Sequence, residues 1–254
     1  MTDIVNFPLF VFMISLVVLW LSTQVGVLVR TRLRPLAEDE RQDFSVVQTA
    51  TLTLLALLIG FTFSMAINRY DQRKNYEAEE ANAIGTEYVR ADLLPAAAAT
   101  RVRVLLKTYL DQRIQFYETR DQRQLNQINA YTDQLQRELW STVQAAAAAQ
   151  PTPPVALAVE GMNEVLNSQG YTQAAWWNRI PIAAWALMAA IAVGCHVLLG
   201  YEAHGRSKHI VFLVLPVAVS VSFLLIADID SPHGGLIRVL PHNLVSLSQL
   251  FQAR

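Results

Sequence analysis

Charge is scarce in this chain: 16% of its 254 residues are Asp, Glu, Lys or Arg, where a soluble domain carries about 25%. Hydrophobic residues make up 53%, and mean hydropathy is +0.27. The shortfall points to lipid. The net charge of -1 and a pI near 6.5 leave no basic field to hold nucleic acid, so no nucleic-acid partner is expected. The single cysteine, Cys195, excludes an intrachain disulfide and a Cys-rich metal site, and in its apolar surroundings it acts as a small hydrophobe. Alternating β-branched runs are missing between 68 and 179, which argues against strands. Catalytic signatures are missing as well: there is no G-x-S-x-G elbow, no phosphate-binding glycine loop and no H-E-x-x-H. Cys195 and His196 are adjacent, but helical neighbours point about 100° apart and cannot act as a pair. No enzyme activity, cofactor or metal is expected.

What the chain does have is four apolar runs of membrane-spanning length, at about 7–29, 47–67, 180–200 and 210–227. Crossing a bilayer as a helix takes roughly 20 such residues. The fold class expected is therefore all-α: a four-helix transmembrane protein with a helical soluble insert between spans two and three. The parts are 1–67 with two spans, 68–179 as the insert, and 180–254 with two spans and a short C-terminal tail. The first run has no basic segment before it and no small-residue cleavage site after it, and Arg30, Arg32 and Arg34 follow it, so it reads as a retained anchor. Pro35 stops this helix, making 30–44 a charged connector. Trp176 and Trp177 before the third span, and Tyr201 after it, fit interfacial anchoring.

The second span continues into water without an interrupting Gly or Pro over 61–84. Leu93, Leu94 and Pro95 break it, and Pro95 suits the start of a helix over 96–117 that aligns Val102, Leu105, Tyr109 and Phe116. The next helix, 120–149, repeats Leu125, Ile128, Thr132, Leu135, Leu139 and Thr142 opposite a Gln- and Arg-rich face. It needs a partner for its apolar side. Prolines at 151, 153 and 154 end it, and a shorter helix through Val155, Val159, Met162 and Leu166 leads to Gly170 as a cap.

The sharpest local pattern is a run of small or polar residues at Thr49, Thr53, Ala56, Gly60, Ser64, Asn68, Asp71, Asn75, Ala78, Asn82 and Thr86. Each step is three or four residues, so one helix face carries them from the membrane into the insert. Two readings compete. Small residues let helices approach closely, as in small-xxx-small packing at Gly60 and Ser64. Alternatively, several copies of the face line a wet pathway in which polar groups replace part of an ion's hydration shell. Thr53, Gly60, Ser64, Asn68, Asp71 and Asn75 are the pore-lining candidates.

Carboxylates crowd the segment 77–92, where Glu77, Glu79, Glu80, Glu87 and Asp92 lack EF-hand spacing. Ion pairs with Arg69, Arg73, Lys74 and Arg90 are the plainer expectation. Asn82 and Gly85 are weak helix formers, a sign of close packing or a kink. Within the spans, His196, Asp228 and Asp230 are too few and too peripheral for a proton relay, so hydrogen-bonded interfacial roles are expected. Pro216 is expected to kink the fourth span. His204 and His209 show no ligand spacing.

Three blocks, Arg69-Tyr-Asp-Gln-Arg73, Glu80-Ala-Asn-Ala-Ile-Gly-Thr86 and Arg90-Ala-Asp-Leu-Leu-Pro95, resemble a bacterial membrane family labelled bestrophin-like. The tail Asp230-Ser-Pro-His-Gly-Gly-Leu236 with Val239 is similar to that family's ending. The resemblance singles out Glu80, Asn82, Gly85, Arg90, Asp92, Asp230 and Gly235. It implies a homo-oligomer in the bacterial inner membrane with the lipid bilayer as its surroundings. Bestrophins are pentameric anion channels whose second helix lines the pore and whose helical extensions form a vestibule. The chain departs from them in having no recognisable aromatic neck: Phe61 and Phe63 fall on opposing faces. Short-loop arginines, with Arg206 and Lys208, favour termini and insert outside, whereas the bestrophin layout places them inside. The expectation is an oligomer conducting small ions, anions by resemblance, along the second helices. The alternative is a non-conducting scaffold or signalling protein that binds a partner through the faces of 120–149.

Overall fold

The computed structural model describes residues 7–32, 38–202 and 211–253, and among them all regular structure is helical. Eight α-helices follow in order: α1 Pro8–Arg32, α2 Glu38–Arg90, α3 Ala96–Glu118, α4 Gln122–Ala149, α5 Pro153–Trp177, α6 Ile182–Glu202, α7 Val211–Asp230 and α8 His242–Gln252. Four stretches are long and apolar enough to cross a membrane, within Pro8–Arg32, Glu40–Leu93, Pro153–Glu202 and Leu213–Asp230. Pro35, His204, Arg206, Lys208 and His209 lie outside the described residues, as does Arg34.

Backbone contacts divide the chain into two compact units. The first takes Met1–Asn68 and Arg179–Arg238. Its core is small: Leu19 of α1, Leu55 of α2, Met188, Ala192 and Cys195 of α6, and Val219 and Phe223 of α7. Elsewhere these helices show long apolar side chains outward, among them Phe10, Met13, Leu57 and Phe61. In water such a surface would be untenable, and in hydrocarbon it is the expected one. Hydroxyls are turned back into the helices, Ser22 onto the Val18 carbonyl at 2.7 Å and Thr23 onto that of Leu19 at 3.0 Å. α1 and α6 meet backbone to backbone where Gly26 faces Gly200: a Cβ on Gly26 would fall 2.9 Å from the Gly200 Cα. Only glycine permits that approach, which compensates for the absence of a hydrophobic drive between helices in lipid.

The second unit takes Arg69–Asn178 and Val239–Arg254. Here α3, α4 and α5 pack around Val102, Leu106, Tyr109, Leu135, Leu139 and Met162 with the distal part of α2. The apolar stripe of α4 is buried from Leu125 to Leu139 as its spacing predicts; Thr142 is half-buried, and Val143 and Ala146 continue the buried face. Asp121 caps α4 by accepting the Arg123 N–H at 2.8 Å, an arrangement worth about 1 kcal/mol. Pro153 and Pro154 start α5, where the missing N–H groups are harmless.

Several boundaries differ from the sequence reading, each for a packing reason. The charged connector is shorter, because α1 reaches Arg32 and α2 begins at Glu38. Gly170 does not cap α5. It is exposed mid-helix, and the helix continues because Thr172, Ala175 and Trp176 beyond it are buried. Trp176 is not an interfacial anchor, since it packs edge-on against Phe116 at 5.0 Å and Tyr117 at 5.4 Å. The segment after Arg238 is more than a tail. It folds as α8 within the second unit, a position that hydropathy does not disclose.

Candidate functional site

α2 runs without a break from Glu38 to Arg90, and its two long faces have opposite fates. Along one face Leu55, Thr62, Ala66, Arg73, Glu77, Glu80, Ile84 and Glu87 are buried. Along the other, Thr49, Thr53, Ala56, Gly60, Ser64, Asn68, Asp71, Asn75, Asn82 and Thr86 are all exposed, and only Ala78 is half-buried. A Cβ placed on Gly60 would meet nothing within 4 Å. Among the described residues, then, the small-residue face serves no close packing against the chain's own spans.

The chemistry of this face changes along its length. Thr53 donates its hydroxyl hydrogen to the Thr49 carbonyl at 2.8 Å, leaving lone pairs and a methyl group outward. Ser64 is exposed, as are the side chains of Asn68 and Asn75. Asp71 is the one formally charged member of the face, and it is exposed.

Of the residues singled out by the family blocks, Asn82 is on this face, and the others lie elsewhere and hold the scaffold. Glu80 is fully buried and accepts from Arg113 Nε at 2.5 Å, from the Tyr117 hydroxyl at 3.3 Å and from the Thr172 hydroxyl at 3.3 Å. Burial is the largest single influence on Arg113 and opposes its charge, but the Glu80 charge and hydrogen bond, together with Tyr109 and Tyr117, outweigh it and hold the guanidinium above its ordinary pKa. Burial, and then the Glu80 charge, push the Tyr109 and Tyr117 phenols upward. Arg90 pairs with Glu164 at 3.4 Å, and Asp92 pairs with Arg103. Asn82 is exposed, whereas Gly85 faces α8: a Cβ there would lie 3.1 Å from Leu247 Cδ1, so close packing accounts for this glycine.

In the first unit Asp230 accepts the Ile180 N–H at 3.2 Å, and Asp228 accepts those of Leu236 and Ile237 at 2.8 and 2.7 Å. Gly235 lies against the Asp228 carbonyl, where any Cβ would clash. These acids hold backbone in place. His196 is buried and donates from Nδ1 to the Ala192 carbonyl at 2.7 Å. Among the described residues no three His, Cys, Asp or Glu side chains come together as a metal site.

Sequence reasoning missed two contacts. It paired the acids of 77–92 with nearby cations, yet Glu80 reaches Arg113 across to α3. The available signal was Arg113 itself, in register with Leu106, Leu110 and Tyr117 on the buried face of α3. It also overlooked Glu77, which accepts the Asn243 and Leu244 N–H groups at 2.9 and 3.0 Å and so caps α8. Glu87 is buried with neither oxygen hydrogen-bonded. Burial pushes its carboxyl up to about 8, Arg90 opposing and Glu164 adding to the shift.

A polytopic all-helical membrane protein, with four helices long and apolar enough to cross a bilayer, is the class these features define. Residues 9–244 match the Bestrophin-like domain, and the chain belongs to that family. Among solved structures it is similar to a bacterial bestrophin homologue from Klebsiella pneumoniae, with 16% identity over 94% of this chain and 95% of that one and a TM-score of 0.62. Two variants of that homologue give 18% identity over 95% and 96% with a TM-score of 0.63, and 16% over 95% and 94% with 0.64. At such identity the likeness speaks to fold alone. A search of curated protein sequences finds no match.

Proposed function

We propose that this chain is one subunit of an oligomeric ion-conducting protein of the bacterial inner membrane, in which α2 of each copy lines the pathway. The carrying observation is the exposure of the small and polar face from Thr49 to Thr86 while the opposite face of the same helix is buried. A face that is small and polar at membrane depth, yet unused by the chain's own helices, suits water and ions rather than lipid. The scaffold reading is less well supported, because the apolar side of α4 is already buried inside its own unit.

The chemistry of the face bears on selectivity. Its only formal charge is the Asp71 carboxylate, and Thr53 turns acceptors outward. Repeated around an axis, these favour cations, as acidic rings do in cation channels. The anion preference that the family resemblance implies would rest on donors from Ser64, Asn68 and Asn75.

The test is conductance of the purified protein in planar bilayers under a salt gradient. The expected result is a current whose reversal potential reports cation preference and moves toward zero in Asp71→Asn. Cysteines placed at 53, 60 and 64 should cross-link between subunits. Absence of conductance across varied salts and pH would remove the proposal, and an anion-selective current untouched by Asp71→Asn would remove the cation assignment.

A further inference from the structure

The membrane unit contains a groove that the proposed ion pathway does not use. α1 and α6 are in backbone contact at Gly26 and Gly200. Several turns earlier along both helices they leave between them a cavity of about 480 Å³. Its walls are apolar side chains, chiefly Val11, Ile14 and Val18 of α1 and Trp185, Ala189 and Val193 of α6. Phe223 of α7 lines it too, with its ring edge-on to Trp185 at 6.0 Å. Apart from Ser15, whose hydroxyl is turned back onto the Phe12 carbonyl, the polar side chains of the lining are at one end, Arg179 just before α6 begins and Asp230 where α7 ends.

We infer that this groove is a binding site for one acyl chain of a membrane phospholipid, with the headgroup at the Arg179 and Asp230 end and the chain tip pointing toward the Gly26–Gly200 contact. Three features converge on that occupant. The walls are parts of membrane spans, so the medium that reaches the groove is hydrocarbon. An unfilled apolar cavity forfeits dispersion contacts on every wall, and a flexible chain restores them. The charged and apolar parts also lie in the order a phospholipid presents from interface to bilayer interior, with a guanidinium where the phosphate would be. A compact polar ligand would find no partners along the groove, and a free ion would find none at its depth. The site depends on the membrane assignment and is independent of the pathway along α2, so either can fail alone.

The test uses the full-length protein reconstituted in vesicles of palmitoyl-oleoyl phosphatidylcholine doped with a phosphatidylcholine that carries a photoreactive diazirine in one acyl chain. After irradiation, labelled peptides are mapped. Label is expected to concentrate on 11–19 of α1 and 182–193 of α6. It should fall several-fold in Ala189→Trp, and also in Ser15→Phe, which fills the groove from the other wall. Ala190→Trp, at an exposed neighbouring position outside the lining, should leave it unchanged. Label spread evenly over outward positions such as Leu9 and Met13, or unaltered by both filling variants while they remain folded, overturns the site. So does a disulfide between copies of Ala189→Cys with loss of the groove label, since a second copy would then occupy the groove.

Discussion

The two units of this chain pack by different means. The second unit closes around large side chains, Tyr109, Phe116, Tyr117 and Met162 among them, and buries an ion pair with its hydrogen-bond partners. The first unit has, among the described residues, a buried cluster centred on Leu19, Leu55, Met188 and Phe223, and brings α1 and α6 together through two glycines. In water, burial of apolar area drives assembly, so helices need apolar stripes and a core. In lipid that drive vanishes between helices, and close backbone approach takes its place. α2 belongs to both units, and the exposed small and polar face it keeps from Thr49 to Ser64, within its apolar stretch, is not explained by lipid. That discrepancy directs attention to this face.

The largest effect that would break the comparison is expected at the buried pair. Glu80→Ala leaves Arg113 charged and buried without its partner and should destabilise the second unit by about 3–5 kcal/mol. Thermal unfolding in detergent would show it, and joint replacement by Glu80→Met and Arg113→Leu should recover much of the loss. Little change in Glu80→Ala would mean that the pair is not part of the core.

At the glycine contact, Gly200→Leu should cost about 1–3 kcal/mol through overpacking against Thr23 and Gly26. Hydrogen exchange should show loosening in α1 and α6 while α3, α4 and α5 keep their protection. Uniform loosening would show that the two units do not respond separately.

Glu87 sharpens the contrast through pH. Its carboxyl keeps its proton in the fold up to about 8, against an ordinary value of 4.5. Between these values the folded state binds more protons than the unfolded one, so stability falls as pH rises through that window and levels off above it. Glu87→Gln removes the slope. The variant should match the parent near pH 4.5 and exceed it by a margin that widens up to about pH 8 and then stays level, read as melting temperature across pH. Parallel curves would show that the side chain is solvated.

The smallest effect concerns α8. Lys107 donates to the Phe251 carbonyl at 2.9 Å at the end of that helix. Its replacement by alanine should weaken α8 by about 0.5–1 kcal/mol. Faster proteolysis within 242–252, with the rest of the chain intact, is the expected signature.

The spans, the unbroken α2 and the apolar stripe of α4 were legible in the sequence because each is a periodic pattern with one physical reading. The exposed face from Thr49 to Thr86 was legible as a face, yet its spacing fitted helix packing as well as it fitted exposure. Long-range partners were not legible: Glu80 lies 33 residues from Arg113, and Glu77 lies 166 from Asn243. For Glu80 the nearer cations offered a local explanation, and Arg113 took their place. Trp176 misled for the same reason, because an aromatic beside a span looks like an anchor until Phe116 and Tyr117 are known to surround it.

By itself, then, the sequence determined what lipid and helix periodicity dictate: the helical class, the number of spans and the polar face of α2. Hydropathy and helical repeat depend only on neighbouring residues, so they can be read without a fold. The tertiary structure alone decided which face of α2 is covered, that α8 joins the second unit, and that the family-block acids Glu80, Asp92 and Asp230 are tied to Arg113, Arg103 and the Ile180 N–H. Burial and pairing depend on what distant segments bring to a residue, and only the folded chain sets those distances.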